Sequence, residues 1–457
     1  MKVDILIAGA TIITMDADRR IITDGALAIV GDRIAAIGKR ADIEPAVEAT
    51  ETIDGRRFVL TPGFVNSHVH LTETLLKGFK PEDTEFGESV WRWTVPLYEA
   101  HTPEDQCIGT ELAALSMLRT GTTTFLEAGT IMALDPVVET VRRTGLRGRV
   151  GAWMLDRAFS PDQDQTKLTD TAIRTLEDQM ARYPATDGAK VAAWPFLIGH
   201  STATDTLWRA AKDIADRYGA GVTAHMSPAE TDPDWYLKNT GRRPILHLAD
   251  IGVLGPNVAL THMVHVDKDE VVALAATGAG VIHCPGAAMK GGYGASKVGL
   301  HPEMAAAGVP LMTGTDGGDQ HDMIKVMSLM AGLFKDARAD NGIFSAYQVL
   351  EMATVGGAKF MGLQDQIGSL EVGKKADLVL HDTDRPEWRP MLNPVATLVW
   401  SADGRGVHSV WIGGQRVVDD YRCTTIDEEA LYARAQSAAE AIVARSGLPT
   451  ISPWPVI

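Results

Sequence analysis

The sequence predicts an α/β protein: a (β/α)8 barrel over residues 61–360, beside a small β-sandwich contributed by both ends of the chain. Three observations point there. Between residues 61 and 360, helical segments repeatedly end at glycine and give way at once to a short strand. Those strands are continuously apolar, as parallel strands buried on both faces are. The flanking segments have another rhythm, short alternating strands separated by turn residues.

Taken in order, residues 1–60 supply the first part of the sandwich. DILIAGATIITMD and GALAIVGDRIAAIG read as strands, the second turning at Gly31-Asp32. FVLTPGFVNS opens the barrel. Thr102-Pro103-Glu104-Asp105 marks a helix start, with a candidate N-cap, proline at the first helical position and acids in the first turn. Gly121, Gly145, Gly219, Gly278 and Gly308 each precede a strand, and glycine there supplies a left-handed helix cap. With FVLTPGFVNS and KVAAWPFLI this makes about eight strand–helix units in about 300 residues, the arithmetic of a barrel. A doubly wound open sheet would want a glycine-rich phosphate turn after an early strand, and none is present. Residues 361–425 return to the sandwich, with GVHSVWIGGQRVVDD folding at Gly413-Gly414. Residues 426–457 hold a polar-faced helix from about Asp427 to Arg445, then a tail.

Composition narrows the function classes. The net charge of −16 has the wrong sign for a nucleic-acid surface and disfavours strongly anionic substrates. The three cysteines, Cys107, Cys284 and Cys423, exclude a disulfide scaffold and fit a reducing compartment. No apolar run reaches the roughly 18 residues that span a bilayer. Asp4 breaks the first apolar stretch, which reads as a strand and not a signal peptide. The expectation is a soluble cytoplasmic protein acting on small molecules, without nucleic-acid or membrane partners.

The histidines are placed unevenly. His68 and His70 follow the first barrel strand, His225 the fifth and His262 the sixth, while Asp316 follows the eighth. The C-terminal ends of barrel strands carry the chemistry. In an extended segment His68 and His70 point the same way, so both imidazoles can grip one cation. Neutral imidazole and carboxylate suit Zn²⁺, Fe²⁺ or Mn²⁺, and a catalytic ion keeps one position open for water.

These residues carry a resemblance. With TPGFVNSHVHLTETLLKG, NVALTHMVHVDKDEVVALAATGAGVIHCPGAAMK, GTDGGDQHDM and IGSLEVGKKADLVLHD, nearly the whole chain resembles the amidohydrolase superfamily. The similarity lies with the branch holding cytosine, guanine and S-adenosylhomocysteine deaminases and triazine hydrolases. The resemblance implies that His68, His70, His225 and Asp316 are metal ligands and that Asp316 also takes part in proton transfer. It places His262 on the water or leaving group in single-metal members, and on the metal in two-metal members. Two-metal members often use a carboxylated lysine after the fourth strand. AAWPFLIGHS has no lysine near its end, so one divalent ion is expected, zinc foremost and iron or manganese as alternatives.

Two segments depart from the branch. Its deaminases show H-x-x-E after the fifth strand, where the glutamate shuttles protons. Here Pro228 stands three after His225, and Glu230 is the candidate to replace that glutamate. IGHSTATDT replaces an H-A-P-Y-T-C-like segment, leaving His200 as the candidate substrate-binding histidine. Further candidates for substrate contact are Trp91 in FGESVWRWTVPLYEA, Glu73 three after His70, His283 at the seventh strand's end and Glu127 at the second's.

The expected activity is metal-dependent hydrolysis. A metal-activated hydroxide attacks an amino-substituted nitrogen heterocycle, Asp316 takes the water's proton, His262 stabilises the addition intermediate, and ammonia or an amine leaves. The lost H-x-x-E keeps amide, urea, carbamate, C–Cl and C–S hydrolysis open. A non-catalytic, metal-stabilised binding protein is the distant alternative. Homo-oligomerisation is implied by the resemblance.

Overall fold

A computed structural model describes residues 1–186, 188–450, 452 and 454. The N-terminal strands are β1 (Lys2–Ile13), β2 (Ile21–Val30), β3 (Arg33–Lys39), β4 (Glu48–Asp54) and β5 (Phe58–Pro62). β1 is long enough to serve two partners on one edge. Its first part pairs in parallel with β4, and Thr11 and Ile12 pair with β5. Register shifts opposite β2, between Ala8 and Ala10 and between Ala10 and Ile12, fall where one partner gives way to the other.

Gly63 alone separates β5 from the next layer. β6 (Phe64–Val69), β7 (Thr122–Glu127), β8 (Arg147–Val150) and β9 (Val191–Ala193) form a four-stranded parallel sheet in chain order. β10 (Phe196–Gly199), β11 (Val222–Met226), β12 (Val258–His262), β13 (Gly280–His283) and β14 (Leu311–Thr313) form a five-stranded one. All their residues are buried except Ile198, which is half-buried, as the continuous apolar pattern requires. KVAAWPFLI becomes two strands because Pro195 has no N–H to give to a ladder. Beyond β14, the chain returns to β6. Asp316 N–H donates to the His68 carbonyl at 3.0 Å, His70 N–H donates to the Asp316 carbonyl at 3.1 Å, and Val69 bridges Asp316 in parallel.

The punctuation read from sequence holds. Gly121, Gly145, Gly219, Gly278 and Gly308 all have φ between +61° and +85°. Helix Pro103–Arg119 starts with a reciprocal Thr102–Asp105 capping box. β15 (Leu378–Asp382), β16 (Val407–Ile412), β17 (Gln415–Asp419) and β18 (Arg422–Cys423) complete the mixed sheet, β15 lying antiparallel to β5. The Gly413-Gly414 turn has both residues at positive φ, as a two-residue hairpin asks. Arg147 of β8 forms a buried ion pair with Asp377, which also accepts the Gly413 N–H at 2.6 Å, so the mixed and parallel sheets share one polar joint. Helix Glu428–Ser446 lies along helix Pro103–Arg119 through the Arg119–Glu428 and Arg445–Asp105 pairs. Among the described residues, no helix is long and apolar enough to cross a membrane.

Candidate metal centre

The strand ends deliver five of the expected side chains to one place. The pleat turns His68 and His70 of the β6 end the same way, and β11 and β12 bring His225 and His262 beside them. Single donor atoms of His68, His70, His225 and Asp316 all lie within 4.8 Å of one another, and all four residues are buried. His70 Nε2 is 2.9 Å and His68 Nε2 3.4 Å from Asp316 Oδ1, and His225 Nε2 is 3.3 Å from His70 Nε2.

Two of the imidazoles are held from behind. His225 Nδ1–H donates to the Ile198 carbonyl at 2.9 Å, and His68 Nδ1 shares a hydrogen bond with Thr261 Oγ1 at 3.0 Å. Such outer contacts fix the ring and leave Nε2 for a metal. His68 Nε2 is buried with no hydrogen-bond partner. Convergent nitrogens and a carboxylate, all buried, fit one divalent ion, and this N/O set suits zinc. The charge states fit too. Burial, reinforced by the neighbouring imidazoles, pushes His225 well down, and burial pushes His262 down to about 3. Burial works to raise Asp316, but His262, His68 and His70 outweigh it and hold the carboxyl well below its usual range. His68 is likewise lowered by burial, whereas at His70 the Glu73 and Asp316 carboxylates outweigh burial and raise it, so His70 must give up a proton when it binds a metal.

Strain gathers here. His200, Ser227, His262, Met263 and Asp316, all just at or past strand ends, have φ from +51° to +79°. Non-glycine residues keep such conformations only where the surroundings over-determine them. Asn66 supplies part of that by accepting the Thr315 N–H at 3.1 Å and donating to Thr315 Oγ1 at 2.8 Å.

Above the ligands lies a cavity walled by Glu73, Phe86, Tyr98, Trp153, His200 and Tyr293, with His262 and Asp316 at its floor. Glu73 is half-buried, accepts the Tyr98 hydroxyl, and sits 3.7 Å from both His70 Nδ1 and Lys80 Nζ. His200 stacks on His225 with ring centroids 5.5 Å apart, and its Nδ1 bonds Asp232 at 2.7 Å. Phe86 packs edge-on against both His200 and Tyr293.

Four expected residues are not brought to this cavity. Glu230 is 80 % exposed, 3.8 Å from His265; Asp232 turns inward instead and accepts the Ser227 N–H. The roof turn Ser89–Thr94 buries Trp93 and sends Trp91 outward, edge-on to Phe159. His283 is buried beside His301, with ring centroids 4.1 Å apart. Glu127 folds back on its own loop, accepting the Gly129 N–H and the Thr130 N–H and hydroxyl, while burial raises it to about 7. Sequence reasoning missed Phe86, Tyr98, Trp153 and Tyr293, which come from loops and short helices where no spacing rule applies. The aromatic-rich FGESVWRWTVPLYEA was the available signal for Phe86 and Tyr98.

The geometry agrees with the comparisons. The Amidohydrolase family profile matches residues 59–417. The 5-methylthioadenosine/S-adenosylhomocysteine deaminase of Syntrophobacter fumaroxidans is 32 % identical over 449 residues, covering 96 % of this chain and 99 % of the relative. The 5'-deoxyadenosine deaminase of Methanosarcina mazei is 30 % identical, covering 97 % and 99 %. A zinc-bound adenosine deaminase from Xanthomonas campestris superposes with a TM-score of 0.88 at 27 % identity, over 97 % of this chain and 99 % of that one. The atrazine chlorohydrolase of Arthrobacter aurescens, at 23 % identity over 95 % of this chain and 100 % of its own, shares the fold with a TM-score of 0.86. By sequence along most of its length and by the ligand set its strand ends assemble, the chain belongs to the amidohydrolase family of metal-dependent hydrolases.

Proposed function

We propose that this protein is a single-zinc deaminase that releases ammonia from a neutral, unphosphorylated amino-substituted nitrogen heterocycle. The observation that carries this is the convergence of His68, His70, His225 and Asp316 within 4.8 Å beneath a cavity walled by aromatic rings. Those four residues hold the ion. When bound, the ion supplies Lewis acidity, which lowers the pKa of water towards neutrality. Asp316 Oδ2, 3.8 Å from His262 Nε2, accepts the water's proton and passes it to the departing amine. His262 hydrogen-bonds to the oxygen that adds to the ring carbon while the C=N electron pair moves onto the ring nitrogen. The C–N bond to the protonated amine then breaks to give ammonia, and the adduct's remaining O–H proton ends on the ring nitrogen of the oxo product. Phe86, Tyr98, Trp153 and Tyr293 stack against the planar ring. Glu73 accepts a substrate N–H, and His200 binds the ring's far edge. Lys80 and Lys290 face Glu73 and Asp319, at 3.7 and 2.7 Å, which leaves neither lysine free for a phosphate. The relatives named for adenosine-type substrates support the same class.

The architecture belongs to the same reading. The two parallel sheets close into one (β/α)8 barrel over residues 61–360; the Val69–Asp316 bridge and the short Trp194-Pro195 link support closure. Residues 1–60 and 361–425 make the sandwich, whose two apolar clusters lie apart, and residues 426–457 the terminal helix and tail. The protein is a cytoplasmic homo-oligomer; its three free cysteines support the reducing compartment.

One observation favours a second reading. Pro228 occupies the H-x-x-E glutamate position and Glu230 faces solvent, so no side chain from that turn protonates a ring nitrogen. Amide, urea, carbamate, C–Cl or C–S hydrolysis would need no such proton. The test is a product panel with 5'-deoxyadenosine, S-adenosylhomocysteine, a chlorotriazine and an alkylaminotriazine. Ammonia release is expected; chloride or alkylamine without ammonia would install the second reading. Metal analysis should give one ion per chain, and two would overturn the single-ion site.

A further inference from the structure

His262 ends β12 at φ +79°, and Met263 follows at +51°. The amide side of this left-handed turn is tied down. Met263 N–H donates to the Met226 carbonyl, and Val264 and His265 N–H both donate to the Ser227 carbonyl, each at 3.0 Å. The carbonyl side is held by a side chain from another segment. His301 Nε2–H donates to the His262 carbonyl at 2.8 Å.

His301 is built into place for that bond. It begins the helix His301–Ala306, between β13 and β14, and is fully buried. Its ring centroid lies 4.1 Å from that of His283 and 5.3 Å from that of Phe334. Gly299 closes the remaining edge: a Cβ there would stand 2.9 Å from His301 Nδ1. Nδ1 has no partner, so the one proton of the neutral ring belongs on Nε2, where the carbonyl takes it. Burial pushes His301 down to about 4, which keeps the ring neutral.

We propose that His301 is a positioning residue: its hydrogen bond to the His262 carbonyl holds the strained backbone of β12's end and so aims the His262 imidazole at Asp316. The proposal rests on the reading of His262 as a catalytic residue. The His262 ring stands 5.5 Å from the His225 ring, nearly parallel, with Nε2 3.8 Å from Asp316. Relaxing φ to the extended range would redirect the Cα–Cβ bond and carry the ring off that line. His283 supplies the wall that keeps the His301 ring upright, which gives that buried histidine a role behind the cavity.

The test compares His301→Leu, which removes the donor, with His301→Gln, which keeps an N–H at similar reach. His301→Phe replaces the leucine variant if that one does not fold. Crystal structures report the His262 φ without reference to activity. Ammonia release from 5'-deoxyadenosine gives kcat and KM, and elemental analysis gives metal per chain. With the donor removed, φ of His262 should leave the left-handed region. kcat should fall about 10- to 100-fold, the effect of a small misplacement of a reacting group. KM and metal content should stay constant, and His301→Gln should restore most of the rate. Adding His301→Leu to His262→Ala should change nothing further, because both act on one group. A positive φ retained without the donor, or a glutamine variant as slow as the leucine one, overturns the clamp. If His262→Ala keeps its rate, the catalytic reading of His262 falls instead. If 5'-deoxyadenosine is not turned over, the crystallographic comparison alone decides the clamp.

Discussion

His225 is anchored by the Ile198 carbonyl and offers its other nitrogen to the centre, while its backbone stays in the β11 ladder. His225→Ala therefore removes a ligand and leaves the strand pairing in place. The variant should lose its metal and about a thousandfold or more in turnover, with an unchanged far-UV spectrum. Full metal content in that variant would remove His225 from the ligand set. Glu73 and Glu230 make a second contrast. Glu73 is half-buried at the cavity wall, whereas Glu230 is 80 % exposed. Loss of a charge-assisted hydrogen bond is worth about 1.5–3 kcal/mol, so Glu73→Gln should raise KM about 10- to 100-fold. Glu230→Ala should stay within about twofold, as surface changes do. Equal effects in steady-state kinetics would refute the assignment. The ligands were legible because strand ends and a period of two fix where they point. Glu230, Trp91, His283 and Glu127 were near the right ends too. Their directions depend on turns such as the left-handed Ser227 and the loop at Gly129, which residue order does not reveal.

At the level of elements, glycines do two different jobs. Gly219 caps helix Asp205–Tyr218 at φ +61°, and a Cβ there would meet nothing within 4 Å. Gly219→Ala should cost about 1 kcal/mol of stability, from backbone conformation alone, and leave kinetics unchanged. Gly318 follows Asp316 by two residues, and a Cβ there would lie 2.2 Å from the Glu73 carbonyl carbon. Gly318→Ala must push the Asp316 loop away from the segment after β6, so its main effect should be on metal content and kcat. Thermal melts with elemental analysis separate the two. The idea fails if Gly318→Ala keeps both metal and rate. The caps were readable because helix ends obey local chemistry. The roof over residues 80–98 was not, because its Phe86 and Tyr98 reach the cavity through short helices and irregular turns. The split of KVAAWPFLI was readable in principle from Pro195, which cannot donate to a ladder.

For the whole molecule, buried neutral histidines set the response to acid, and one of them packs between the mixed and parallel sheets. That residue is His381 in β15, fully buried, bonded through Nε2 to Thr61 Oγ1 at 3.0 Å and packed near Phe64 of β6 and Trp388. Burial lowers it from 6.5 to about 3. Above pH 6.5 the ring is neutral in both folded and unfolded chains, and its contribution to stability is whole. As pH falls towards 3, the unfolded chain takes up a proton that the folded chain refuses, and stability is lost at up to about 1.4 kcal/mol per pH unit. Melting temperature should therefore fall steadily below about pH 6.5 in the parent protein. His381→Gln keeps a polar group for Thr61 without a titrating proton, so its curve should be flatter over the same range. Parallel curves for the two proteins would show that His381 has no part in the loss and that the other buried histidines carry it.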